Sequence, residues 1–133
     1  MARRWGVFLL MALLAQAFAA AQKQEEPPEE DESVAVAREY TFNPLQAEKE
    51  LNVGKFYYKK GSFRAAQQRF KEATLWNGGF AEAYFRLGEA SEKLKDYKTA
   101  RSAYTKYAEL EGDAKKVKEA RERLSKLPAD KGK

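Results

Sequence analysis

The side chains that could carry out chemistry in this chain are carboxylates, amines, guanidinium groups and hydroxyls, because its 133 residues include no His and no Cys. Their absence excludes imidazole acid–base catalysis, thiol nucleophiles, zinc sites built on Cys or His, and disulfide bonds. Acids such as Glu89 and Glu92 follow helical spacing, and carboxylates on a charged helix face are ordinarily solvated. The sequence therefore predicts no catalytic residue, no cofactor and no metal ligand, and we expect a protein that is not an enzyme.

Charged residues are spread along most of the chain, with 25 Lys plus Arg, 20 Asp plus Glu and a formal net charge of +5. Mixed charge of this kind is typical of a solvated helical surface. The stretch from Val34 onward carries 22 basic and 14 acidic residues, which raises nucleic-acid binding as an alternative. Because Glu119 and Glu122 interrupt the basic C-terminal cluster and no aromatic residues alternate with it, we expect no nucleic-acid partner.

An internal repeat organises the middle of the chain. The segment that begins at Ala47 aligns with the segment that begins at Ala81, an offset of 34 residues. The aligned pairs share size and polarity: Val53 with Leu87, Gly54 with Gly88, Phe63 with Tyr97, Ala66 with Ala100, and Phe70 with Tyr104. A period of this length is typical of arrays in which one helix–turn–helix unit stacks on the next.

Two glycines of the repeat indicate close packing. Gly54 and Gly88 fall in the middle of otherwise good helices, where a Gly costs about 1 kcal/mol relative to Ala. We interpret both as points where the second helix of a hairpin approaches closely, with Ala66 and Ala100 as the matching small residues.

Helix-end signals define an all-α chain. They are Asn43–Pro44, Gly61–Ser62, Asn77–Gly78–Gly79, Asp96 and Gly112–Asp113, which combine N-cap side chains, a first-turn proline and terminating glycines. They predict helices over about 44–60, 62–76, 80–94, 97–111 and 114–127.

The repeat resembles the tetratricopeptide repeat (TPR). The matching residues are Val53–Gly54, Tyr57, Ala66, Phe70 and Ala73 in the first unit, and Tyr84, Leu87–Gly88, Ala100 and Tyr104 in the second. The chain departs from the pattern at Glu50, where the repeat prefers a bulky apolar residue, at Ser91, which replaces a tyrosine, and at Tyr107, which replaces a small residue. The resemblance implies two TPR-type helix hairpins in a short α-solenoid that binds other polypeptides.

A shorter run, over residues 47–73, resembles the opening of the BamD-like tetratricopeptide lipoproteins of the outer-membrane β-barrel assembly machinery. The Cys that carries the lipid in that family is absent here. This resemblance implies a scaffold for complexes of the cell envelope.

The resemblance also implies a binding surface, since the first helix of each hairpin lines the concave face of a TPR stack. Counting from Ala47 and Ala81, the predicted partner-binding groove contains Leu51, Asn52, Lys55, Tyr58, Lys59, Phe85, Arg86, Glu89 and Lys93. We predict Leu51, Tyr58 and Phe85 as apolar anchors for a protein or peptide, with basic neighbours that complement its charge. The alternative is that these residues pack on a flanking segment or on a second copy. The protein would then be a self-associating structural envelope protein without a groove.

Two repeats fall short of the roughly three that bury a continuous helical core. Additional cover is predicted from a C-terminal helix whose apolar residues, Val117, Ala120, Leu124 and Leu127, recur every three or four positions. This amphipathic pattern predicts a capping helix. The segment before Asn43, with Val34, Val36, Tyr40 and Phe42, either covers the other end or stays loose.

Residues 1–21 have the layout of a secretory signal peptide. Arg3 and Arg4 precede an apolar run over residues 5–15, and small residues follow it, so we expect cleavage after Ala19 or Ala21. The apolar run is shorter than the roughly 20 residues that span a bilayer, which favours cleavage over retention as an anchor. We therefore predict an exported protein of the periplasm or cell envelope, with no membrane span after cleavage.

The region between the signal and the repeat is acidic. Residues 22–33 carry six acids against Lys23 alone, and Pro27–Pro28 leaves little to bury, so we predict disorder. We interpret it as a spacer; the alternative is a lure for a basic partner or a cover for the basic domain. The predicted divisions are a signal peptide at 1–21, an acidic disordered linker at 22–42, a TPR-like helical domain at 43–127 and a disordered tail at 128–133.

Overall fold

Five helices joined by short connections make up most of residues 39–129, the part of the chain that the computed structural model describes. They are α1 (Pro44–Lys59), α2 (Phe63–Trp76), α3 (Ala81–Lys93), α4 (Tyr97–Leu110) and α5 (Ala114–Lys126). The all-α prediction is confirmed, and each predicted helix end lies within one residue of the observed end. The predicted signal peptide, residues 22–38 of the predicted linker and residues 130–133 of the predicted tail lie outside the described residues.

Polar side chains begin three of the helices. Asn43 accepts a hydrogen bond from the Gln46 amide ahead of Pro44, and Asp96 accepts one from the Thr99 amide. Asp113 accepts from two amides at the start of α5. These contacts satisfy backbone donors that have no partner within the first turn of a helix, so they determine where each helix starts.

The two hairpins turn through the same backbone conformation at equivalent positions. Gly61 follows α1 with a φ of 80°, and Lys95, which lies 34 residues later, follows α3 with a φ of 58°. Both values fall in the left-handed region, which Gly adopts without the steric cost that a Cβ introduces. The repeat therefore extends to the turn, although the second hairpin holds Lys in a conformation that favours Gly.

An aromatic ring lies against the glycine in the middle of each hairpin. A Cβ added at Gly54 would come 2.5 Å from Cε1 of Phe70, and one added at Gly88 would come 2.5 Å from Cε1 of Tyr104. The predicted close approach is confirmed, but the element that makes it is the ring and not Ala66 or Ala100. Both of those alanines are fully buried beside it.

The core runs from the first hairpin into the second. It contains Leu51, Tyr57, Ala66, Phe70, Ala73, Ala83, Leu87, Ala90 and Ala103. Ser91, one of the departures from the repeat pattern, is fully buried; its hydroxyl donates to the Leu87 carbonyl at 2.7 Å and accepts from Gln67 at 2.9 Å. The other buried polar residue, Glu50, pairs with Arg69 of α2 at 3.2 Å. Hydrogen bonds thus satisfy both polar side chains in the core.

Short segments cover parts of both ends of the helical stack. Tyr40 packs edge-on against Trp76 with ring centroids 5.0 Å apart and donates to Glu72, while Phe42 remains 76% exposed. At the other end α5 packs against α4 with Ala120 fully buried, which confirms the predicted capping helix. Within residues 39–129, no helix is both long enough and apolar enough to cross a membrane.

Candidate protein-binding groove

The first helices of the two hairpins are joined side by side by charged residues. Lys55 of α1 lies 2.6 Å from Glu82 of α3, and Glu82 lies 3.6 Å from Arg86. Arg86 pairs with Glu89 at 3.0 Å, and Glu89 in turn lies 3.4 Å from Arg123 of α5. We call these five residues the charged band. It crosses α1, α3 and α5, so three helices line one continuous polar face.

Most residues of the charged band are partly open to solvent. The side chains of Lys55, Glu82, Arg86 and Arg123 are between 35% and 45% exposed, whereas that of Glu89 is 14% exposed. Ion pairs with this exposure contribute about 0–1 kcal/mol each to stability. Since so little is lost when they break, these side chains can exchange their partners for the charged groups of a ligand.

Tyr58 lies beside the charged band. Its ring packs edge-on against Phe63, with centroids 5.2 Å apart, and is half-buried. Burial raises the pKa of Tyr58, and the negative charge of Glu89 raises it further, while Arg123 and Arg86 act in the opposite direction. The hydroxyl is therefore close enough to the band to respond to charges on both α3 and α5.

Leu51 was predicted as an exposed anchor of the groove, and this prediction is wrong. Its side chain is 2% exposed and belongs to the core with Ala83 and Leu87 of α3. The physical reason is that this side of α1 packs into the core shared by the two hairpins, so Leu51 offers no surface to a partner.

Phe85 has a different role from the predicted one. Its ring lies 5.0 Å from that of Tyr107 and 5.6 Å from that of Tyr104, and the Arg123 guanidinium covers it at 5.1 Å. Phe85 is thus half-buried beneath α5 and is not a free anchor. It provides the surface on which the capping helix rests.

The remaining predicted groove residues divide into exposed and paired ones. Asn52, Lys59 and Lys93 are exposed, and the Lys93 amine lies 5.8 Å from the centre of the Phe63 ring. Lys55, Arg86 and Glu89 belong to the charged band. The structure therefore brings Tyr58, Lys93 and the band together around α1 and α3, and it removes Leu51 and Phe85 from the accessible set.

The sequence did not predict the importance of Arg123. It pairs with Glu89, Glu92 and Glu119, and it donates to the Tyr104 hydroxyl at 3.4 Å. The hint in the sequence is its place beside Leu124, at the edge of the apolar stripe of α5. A charged residue at that edge faces the neighbouring helix, and here the neighbours are acids and aromatic rings.

Two tyrosines under α5 are held in their neutral form. Burial and, to a smaller extent, the hydrogen bond to Glu92 raise the pKa of Tyr104 well above its usual value. Burial and, to a smaller extent, the negative charge of Glu111 raise the pKa of Tyr107 to about 12. Both effects belong to the junction of α4 with the capping helix. Among residues 39–129, no group of three acids is arranged to hold a metal ion.

Comparison with known protein families gives a match for the second hairpin. Residues 81–113, which contain α3 and α4, match the tetratricopeptide repeat family. No curated protein matches this chain. The match supports the tetratricopeptide character of the predicted second repeat, a type of repeat that serves as a protein-interaction module. The first hairpin repeats its packing at Gly54 and Phe70.

Proposed function

We propose that this chain is an exported scaffold or adaptor whose groove binds a polypeptide partner in the cell envelope. The observation that carries the proposal is the charged band, which links α1, α3 and α5 into one face. Beside the band, Tyr58 and Phe63 supply aromatic surface. Charged side chains along one face of three helices, together with an aromatic contact, suit an extended or helical peptide.

Lys59 and Lys93 give the groove its charge preference. Both are exposed near the C-terminal ends of α1 and α3, and Lys93 lies near Phe63. Because the acids of the charged band already face Lys55, Arg86 and Arg123, these two lysines are free to attract carboxylates of a partner. Charges at the rim of an interface mainly steer association and select partners.

The experiment that tests the groove is site-specific photocrosslinking in intact cells. A photoreactive amino acid at Asn52, Lys59 or Lys93 should give one discrete adduct with a partner protein. Matched controls place the same group at Ser102 or Thr105, on the outer face of α4, where we expect no such adduct. The groove assignment fails if the outer positions yield the same adduct, or if the groove positions yield none.

The envelope location depends on residues 1–21, which lie outside the described residues. We propose that this segment directs export and is then removed after Ala19 or Ala21. N-terminal sequencing of the protein from fractionated cells tests this directly. A mature protein that starts at Met1 or Ala2, or one that stays in the cytoplasmic fraction, would contradict export with cleavage.

A narrower form of the proposal assigns the groove to outer-membrane assembly. It is supported by the resemblance of residues 47–73 to the BamD-like lipoproteins. Mass spectrometry of the groove adducts distinguishes the two forms, because components of the β-barrel assembly machinery should then be the crosslinked species. An adduct with an unrelated envelope protein would rule out the role in outer-membrane assembly, but it would still support a groove that binds a polypeptide in the envelope.

A further inference from the structure

One side of α1 presents an exposed stripe that is separate from the groove. Leu45, Lys49, Val53, Phe56 and Lys60 recur every three or four positions, so they lie on one side of the helix and its C-cap. Leu45 is 79% exposed, Val53 and Phe56 are half-buried, and both lysines are exposed. We call these five residues the α1 stripe.

The internal repeat indicates what such a stripe is for. The equivalent positions, 34 residues later, are Gly79, Ala83, Leu87, Ala90 and Leu94. Ala83 and Ala90 are fully buried and Leu87 is 7% exposed, because the first hairpin, chiefly α2, packs against this side of α3. On α3 this face packs against the preceding hairpin. On α1, Leu45, Lys49 and Lys60 remain exposed, while Val53 and Phe56 pack against the core with one side and are half-exposed on the other.

Residues 40–43 cover a different part of this end of the stack. Tyr40 rests on Trp76 and Glu72, and the Asn43 amide donates to the Trp76 carbonyl at 2.9 Å. All of these contacts are made to α2. Leu45 and the neighbouring Phe42 stay exposed.

The charges of the stripe indicate the chemistry of its occupant. Lys49 and Lys60 stand where the second repeat has Ala83 and Leu94, and the Lys60 amine lies 4.9 Å from the centre of the Phe56 ring. A helix that docks here needs apolar residues opposite Leu45, Val53 and Phe56. Carboxylates beside those residues would complement the two lysines.

A second copy of the chain is a poor electrostatic match. If two stripes paired symmetrically, the lysines of one copy would face the lysines of the other. Head-to-tail stacking would place the stripe against α5, whose exposed side chains include five basic residues against two acids, Glu119 and Glu122, and are therefore positive on balance. Like charges at either contact repel, which disfavours self-association through this surface.

We propose that the α1 stripe docks an amphipathic helix of a different protein, with an apolar face flanked by Glu or Asp. This helix takes the place that α2 occupies against α3. The inference concerns a second surface and does not depend on the groove binding a peptide.

The test uses a synthetic helix of 16 residues, the length of α1, with leucines on one face and glutamates beside them. A second peptide carries lysines in place of the glutamates. We measure the dissociation constant by fluorescence anisotropy and locate the contact from amide NMR shifts. The variants are Leu45→Glu and Lys49→Glu, with Leu110→Glu as a control at an exposed apolar position at the end of α4.

The acidic peptide should shift the amides of the α1 stripe, and each stripe variant should weaken its binding about tenfold or more while Leu110→Glu leaves it unchanged. The lysine peptide should bind Lys49→Glu better than it binds the original chain. Absence of binding at millimolar peptide, or equal binding to all variants, would overturn the proposal. A dimer in light scattering that Leu45→Glu dissociates would also overturn it, because a second copy would then be the occupant.

Discussion

The ring of Tyr104 lies against the backbone of Gly88, and a Cβ added at this glycine would come 2.5 Å from Cε1 of the ring. Tyr104 is fully buried, so the ring cannot move aside without disturbing its neighbours. The same relationship joins Gly54 to Phe70 in the first hairpin. Contact between a ring and a helical glycine is thus the packing unit that the two repeats share.

This contact predicts the effect of Gly88→Ala. The alanine gains about 1 kcal/mol of helix propensity, but overpacking of a core costs about 1–3 kcal/mol. We expect a net loss of about 1 kcal/mol in the free energy of unfolding, measured by urea denaturation. Gly78→Ala is the control, since nothing lies within 4 Å of its added Cβ. Equal stability of the two variants would contradict the packing argument.

The sequence predicted the helices well because glycine, alanine and aromatic residues meet steric requirements that depend little on the rest of the molecule. It was less successful with the groove. Leu51 and Phe85 occupy equivalent positions in the two repeats, yet Leu51 is buried in the core and Phe85 lies beneath α5. Which side of a helix touches its neighbour depends on the packing of whole helices, and periodicity within one helix does not determine it.

Gly61 and Lys95 both have a left-handed backbone conformation, so exchanging Gly and Lys at these two positions should change the free energy of unfolding in opposite directions. Lys95→Gly should raise the free energy of unfolding by about 0.5–1 kcal/mol, because it removes the clash of a Cβ in this conformation. Gly61→Lys should lower it by about 1 kcal/mol for the same reason. Thermal denaturation followed by circular dichroism measures both. Effects of the same sign in the two variants would contradict this explanation.

Arg123 is predicted to hold α5 on the second hairpin. In Arg123→Ala, Glu89 and Tyr104 each lose one of their partners and Phe85 becomes uncovered, so we expect a loss of about 1–2 kcal/mol. Limited proteolysis should show faster cleavage between α4 and α5, near Gly112. Arg121→Ala is the control, because Arg121 is exposed on the same helix. Identical cleavage rates in the two variants would mean that the apolar side chains alone dock α5.

Asp96 should make the free energy of unfolding depend on pH in the acidic range. Burial raises the pKa of Asp96, but hydrogen bonds from Thr99 and Gln67 outweigh burial and lower it below its usual value. Between the folded and the unfolded pKa, the Asp96 carboxylate is therefore ionised in the folded protein and protonated in the unfolded chain. The resulting stability is present above about pH 4 and is lost as the pH falls through the folded pKa.

The corresponding variant is Asp96→Asn, which retains an N-cap acceptor but cannot ionise. At neutral pH it should be about 1 kcal/mol less stable than the original chain, because a charge-assisted hydrogen bond is lost. Below pH 4 the difference should shrink. Urea denaturation between pH 7 and pH 2 measures it, and two curves that stay parallel over this range would rule out a contribution from Asp96.

The last prediction concerns Glu50, which occupies a position where the tetratricopeptide pattern prefers a bulky apolar residue. Its side chain is 7% exposed and that of Arg69 is 15% exposed, with 3.2 Å between them, and Gln46 donates to Glu50 at 2.7 Å. Glu50→Ala removes the carboxylate that pairs with Arg69 and accepts from Gln46, so we expect a loss of about 1–3 kcal/mol.

The double variant Glu50→Leu with Arg69→Met removes both charges at similar volume, so it should be as stable as the original chain or more stable. Urea denaturation of the single variants Glu50→Leu and Arg69→Met and of the double variant gives the coupling energy between the two positions. A double variant less stable than Glu50→Ala would mean that the ion pair stabilises this junction more than apolar packing can. The departure from the pattern at Glu50 would then be a requirement of the first hairpin and not a tolerated exception.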